Sequence, residues 1–172
     1  MPQSISNLMN ILYIHGLNGS LTQEKRTILE HYGTVKSPSL DYENNADSIN
    51  SLYTRFKDAH IDVIIGSSMG GFAGYHLSRL LQLPCLVFNP ALADRSVFQT
   101  VPQIAAANKN MIHLVLGSKD TVVDPKAILD FLANVLHTPQ DYSISVRHDL
   151  EHRIPIAVFE EEVAKFMAAL TV

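Results

Sequence analysis

The sequence predicts a three-layer α/β/α fold built on a mostly parallel sheet of five to seven strands. Two observations carry this. Short apolar runs alternate with longer amphipathic runs along the 172 residues, the pattern of repeated strand–helix–strand crossovers. Most of the short runs are also continuously apolar, as expected for strands covered on both faces.

The elements follow in order. Strands are expected at Ile11–Ile14, Ile61–Ile65, Leu86–Phe88, Ile112–Leu116 and Tyr142–Val146, with a short extra one near Thr34–Lys36. Ser20-Leu21-Thr22-Gln23 matches a capping box, and Gly33 is placed to close the helix it opens. Ile49, Leu52, Tyr53 and Phe56 share one stripe of a second helix. A third runs from Met69 to about Leu81, with Ala73, Leu77 and Leu80 inward. Asp124-Pro125 reads as an N-cap followed by proline at N1, ahead of core-facing Ile128, Phe131, Leu132 and Val135. The last helix begins near Pro155 and turns Phe159, Val163, Phe166 and Leu170 inward. The stretch Asn89 to Asn110 has room for one or two helices and no separate cap domain. Residues 1–172 read as a single domain.

Composition narrows the partners. Apolar residues make up 47% and charged residues 17%, a globular balance. The net charge of −4 lacks the basic footprint of a nucleic-acid binder. No apolar stretch approaches the roughly 20 residues that span a bilayer, so no membrane association is expected. Met1 to Asn10 has neither a basic n-region nor a long apolar h-region, which points to a cytoplasmic protein. Cys85, the single cysteine, lies in an apolar run and reads as a buried structural thiol, and a lone cysteine excludes an internal disulfide and any cysteine-based zinc site.

The strongest chemical signal is Gly66-Ser67-Ser68-Met69-Gly70, a G-x-S-x-G between an expected strand and an expected helix. A sharp strand-to-helix turn brings the backbone close to itself, so small residues must flank the serine. The turn exposes the Ser68 hydroxyl and aims the free N–H groups of the new helix at it. Ser68 is the expected nucleophile and the Met69 N–H an oxyanion donor. Ser67 is out of register with the flanking glycines. The alternative is an inert serine in a Gly-rich turn.

Tyr13-Ile14-His15-Gly16-Leu17-Asn18-Gly19, at the end of the first strand, resembles the turn that supplies a second oxyanion N–H, with Leu17 as donor. An ordinary Asn-Gly loop is the alternative. A serine needs a base, and the base an orienting acid, in the chain order Ser, acid, His. Asp120 follows the next-to-last strand and has no other duty, whereas Asp124 is explained as a cap. His152 stands just before the final helix and is preferred as base to His148, which is too near the strand end. His148-Asp149-Leu150-Glu151-His152 also matches a zinc-peptidase pattern, but that pattern needs one helical face, and the strand before and Pro155 after make this a loop. No metal is expected.

With these residues in place, the chain resembles the α/β-hydrolase superfamily and, more narrowly, the small capless YqiA/YcfP-like bacterial esterases. The resemblance rests on His15-Gly16-Leu17-Asn18-Gly19-Ser20 with Lys25, on Gly66 to Phe72, on Leu83-Pro84 leading to Asn89-Pro90-Ala91, and on the Asp120 and His152 segments. It implies a serine hydrolase of carboxylic esters or acyl thioesters, acting through an acyl-enzyme without metal or organic cofactor, with Ser68, Asp120 and His152 as the triad. The pattern departs at the histidine: relatives place a Gly- or Asn-containing turn before it and an aromatic after it, where this chain has Glu151 and Arg153. Lys25, Arg95 and Arg153 are candidates for rim cations favouring an anionic leaving group, such as a coenzyme A thioester, or else are solvated surface charges. A non-catalytic binding protein on the same scaffold, and a peptidase or acyltransferase using the same triad, are the rival readings.

Overall fold

A computed structural model describes residues 8–104, 109–138 and 140–170. The reading of Met1–Asn10 as lacking a leader thus falls mostly outside the described residues. Six strands form one sheet: β1 (Met9–Ile14), β2 (Gly33–Lys36), β3 (Val63–Ser67), β4 (Cys85–Phe88), β5 (Ile112–Gly117) and β6 (Tyr142–Arg147). Their order is β2-β1-β3-β4-β5-β6, and every pairing is parallel. The central strands are buried along almost their whole length, which is why they read as unbroken apolar runs. Edge strand β6 alternates between half-buried and exposed positions.

Five helices cover the sheet: α1 (Gln23–Glu30), α2 (Ser48–Phe56), α3 (Met69–Leu81), α4 (Pro125–Val135) and α5 (Ile156–Leu170). Leu29 of α1 packs with Val163 and Phe166 of α5 on one face; Ile49 of α2, Phe72 of α3 and Ile128 of α4 pack together on the other. The chain therefore crosses the sheet in one direction through α1 and in the opposite direction through α2, α3 and α4. That reversal opens a crevice between the carboxyl ends of β1 and β3, where ligands bind in open parallel sheets.

Two local expectations change. The cap of α1 is Thr22, whose hydroxyl accepts the Lys25 N–H, so the helix begins two residues after the expected Ser20 cap. Gly33 opens β2 instead of closing α1: a Cβ there would stand 1.8 Å from the Met9 carbonyl oxygen, so the position admits no side chain beside β1. The described part of the β4–β5 connection, residues 89–104 and 109–111, is irregular, and residues 105–108 lie outside the described residues. It is held from the side. Gln99, buried, donates through Nε2 to the carbonyls of Tyr42 and Asn45, and the Thr100 N–H donates to Ala46. Other expectations hold: Asp124 caps α4 by accepting the Lys126 N–H, and Cys85 is buried. Among the described residues, no helix is long and apolar enough to cross a membrane.

Helix α3 buries His76 between the Phe72 and Tyr75 rings, with Arg79 and Arg95 nearby. Burial, reinforced by the two guanidinium charges, pulls its pKa from 6.5 down to about 3. A folded-state pKa below the unfolded one means stability that is complete above about pH 6.5 and is lost as pH falls toward about 3. Urea melts at neutral pH and near pH ~4.5 should show His76→Leu losing about 2 kcal/mol less than the parent between the two conditions. Equal losses would mean that His76 does not contribute to the acid sensitivity.

Candidate active site

The strand-to-helix turn after β3 places Ser68 at the N-cap of α3 with φ 55° and ψ −119°. A non-glycine residue at positive φ stores roughly 1–3 kcal/mol of strain, held only where the surroundings impose it. Here they do. The Ser68 N–H donates to the Phe88 carbonyl and the Ser68 carbonyl accepts from the Ala91 N–H, tying the turn to the end of β4. A Cβ on Gly66 would lie 2.2 Å from the Gly70 carbonyl oxygen, and one on Gly70 would lie 2.0 Å from that of Ile14. The two glycines thus let the turn close on itself and let α3 seat against β1.

The turn after β1 lies against this elbow: a Cβ on Gly16 would come within 3.4 Å of Ser68 Cβ. Asn18 takes a left-handed φ of 52° and the Gly19 N–H donates to the Gly16 carbonyl. His15 braces the turn. Its Nδ1–H donates to the Gly16 carbonyl at 2.6 Å, its Nε2 accepts the Leu40 N–H at 2.9 Å, and its own carbonyl accepts from the Tyr42 hydroxyl. Both imidazole nitrogens are engaged, so the role left open for His15 in the sequence is structural. Leu17 and Met69 line the same cavity as Ser68, and among the described residues neither of their N–H groups is engaged by another group.

Asp120, fully buried at its side chain, and His152, a quarter exposed, meet as the sequence predicts: His152 Nδ1–H donates to Asp120 Oδ2 at 2.8 Å. The other carboxylate oxygen, Oδ1, accepts the N–H groups of Val122 and Val123 at 2.8 and 2.9 Å, which fixes the carboxylate plane. This leaves His152 Nε2 as the free basic nitrogen. Ser68 and His152 share a cavity of about 530 Å³, a volume typical of small-molecule sites. His148 is exposed on the turn after β6, and residues 148–155 are irregular, so His148 and His152 do not form a helical pair.

One contributor, part of the Asn89-Pro90-Ala91 segment that carries the resemblance, has a role its local sequence does not reveal. Asn89, buried at the end of β4 with φ 40°, donates through Nδ2 to the carbonyls of Glu151 and His152 and accepts the Gly117 N–H at Oδ1. It links the ends of β4 and β5 to the loop that carries His152. Asn-Pro is a common turn signal, and nothing local separates that reading from a clamp between distant segments.

A family model described as Uncharacterised protein family (UPF0227) matches residues 10–102, more than half of the chain. The chain belongs to the UPF0227 family. The matched residues include the elbow and the Gly16–Gly19 turn. Among solved structures, this UPF0227 chain is similar to SOBER1 of Arabidopsis thaliana, at 14% identity over 94% of this chain and 99% of that one, with a TM-score of 0.73. It is similar to Est1E from Butyrivibrio proteoclasticus, at 12% identity over 96% and 89%, with a TM-score of 0.67. It is also similar to XC6422 from Xanthomonas campestris, described as an a/b serine hydrolase without lid, at 15% identity over 99% and 86%, with a TM-score of 0.60. At these identities the likeness establishes the fold alone, that of the α/β-hydrolases.

Proposed function

We propose that this protein is a serine hydrolase that cleaves carboxylic esters or acyl thioesters through an acyl-enzyme on Ser68. The observation that carries the reading is the Asp120–His152 contact, which leaves a basic nitrogen in the same cavity as a serine held at positive φ. In the first half-reaction, Ser68 Oγ bonds to the substrate carbonyl carbon as His152 Nε2 takes its proton. Asp120 holds the tautomer and stabilises the imidazolium. The N–H groups of Leu17 and Met69 receive the oxyanion; losing one such donor typically costs roughly 3–4 kcal/mol of transition-state stabilisation. The bond from carbonyl carbon to leaving group then breaks, and His152 returns the proton to the departing oxygen or sulfur. Water, activated by the same histidine, releases the acid and restores Ser68. Among the described residues the β4–β5 segment forms no folded cap over the cavity, which favours short or medium acyl groups.

Labelling with a fluorophosphonate, mapped by mass spectrometry beside a p-nitrophenyl ester assay, tests the reading. The expected result is a single adduct on Ser68, with labelling and turnover both lost in Ser68→Ala. A well-folded protein that neither labels nor turns over would instead support a binding role on this scaffold.

A further inference from the structure

The cavity at Ser68 is lined by three basic side chains, Lys25, Arg95 and Arg153, and they are not equivalent. Arg95 is committed to the protein. Its Nη1 donates to the carbonyls of Ala91 and Leu92, and its guanidinium lies 4.2 Å from the Phe72 ring centroid. Arg153 is exposed to solvent. Lys25 differs from both. It is half-buried on α1, and among the described residues its ammonium has no hydrogen bond and no ion pair. Its one recorded partner is the Phe159 ring, 5.2 Å from Nζ to centroid, which attracts a cation without neutralising it.

The carboxylates on the cavity wall do not compensate. Glu24 and Asp94 both line it and both are exposed. Asp94 acts on the neighbouring Arg95, and burial is the only influence on Lys25, lowering its ammonium below the ordinary lysine range. A desolvated ammonium with no counter-ion is a standing cost that a bound anion would remove. The placement favours an anion in a chain whose overall charge is −4.

We infer that Lys25 determines specificity by binding a carboxylate or phosphate carried on the acyl part or the leaving group of the substrate, so that the preferred substrates are anionic esters or thioesters. This inference rests on the hydrolase reading above. It assigns the recognition to one residue and separates it from Arg95, whose Nη1 and stacking on Phe72 serve the fold.

Two matched substrate pairs test it. On the acyl side, the mono-p-nitrophenyl ester of glutaric acid is compared with its neutral methyl ester. On the leaving-group side, 4-carboxyphenyl acetate is compared with its neutral methyl ester. The readout is the ratio of kcat/KM within each pair, so a general loss of fold or chemistry divides out. The parent protein should favour the anion in at least one pair by about tenfold or more, the range of a hydrogen bond to a charged group. Lys25→Met, which keeps the aliphatic stem, should abolish that preference mainly through KM, and Lys25→Arg should retain it. Which pair responds identifies the side that carries the anion. No preference in either pair, or a preference that survives Lys25→Met, would overturn the inference while turnover of the neutral esters left the hydrolase reading intact. Absence of all turnover together with no Ser68 adduct would remove both.

Discussion

Ester turnover should fall by about 10⁴-fold in Asp120→Asn, with the fold retained. The geometry dictates the direction. Oδ1 of Asp120 is held by the N–H groups of Val122 and Val123, so an asparagine must keep its carbonyl oxygen there. Its NH₂ then faces His152 Nδ1, where Oδ2 now accepts. Two donors cannot face each other, so His152 is driven to the tautomer with the proton on Nε2. That nitrogen can no longer take the Ser68 proton. The loss should appear in kcat, with the thermal melt changed far less. Combining Asp120→Asn with His152→Ala should add little to His152→Ala alone, because the residues act as one unit. Additive losses would show that Asp120 acts independently of the histidine.

Gly70→Ala should destabilise the fold by about 3 kcal/mol or more, at the upper end of overpacking effects. The added methyl would stand 2.0 Å from the Ile14 carbonyl oxygen and 2.5 Å from that of His15, both backbone atoms that cannot swing away. α3 would have to lift off the end of β1, and the elbow and the Gly16–Gly19 turn would separate with it. Gly74→Ala, on the same helix, is the matched control. Its closest neighbour would be the Ile64 Cγ2 methyl at 3.3 Å, a side-chain atom able to yield slightly, and alanine regains about 1 kcal/mol of helix propensity. Urea unfolding should separate the two variants clearly. A Gly70→Ala protein as stable as its parent would mean that α3 is not pinned there.

What was legible in the sequence was either local or periodic. The central strands stand out as apolar runs because the helices shield both faces of the sheet there. Ser68 was legible because the elbow's steric demands fall on residues two positions away. Asp120 and His152 followed from chain order, and Asp124 was removed as a competitor by its pairing with Pro125. The misplaced cap at Ser20 came from two hydroxyl residues two positions apart, either able to begin α1; Thr22 is the one whose side chain accepts a helix N–H. The irregular course of residues 89–104 has a tertiary cause, since Gln99 anchors that backbone to carbonyls more than fifty residues earlier. His15 and Asn89 were opaque for the same reason: their partners, Leu40 and the His152 loop, are distant in sequence.

On the hydrolase reading, the Asn89 clamp makes catalytic competence depend on segments far apart in the chain. The elbow already needs β1 and the end of β4, which hold Gly70 and Ser68 in place. The base cannot be positioned until its loop docks 62 and 63 residues away on the Asn89 amide, and long-range contacts of this kind close slowly. Recovery of turnover after refolding should therefore trail the recovery of helical signal. On that reading, activity reports the docking of the His152 loop on Asn89.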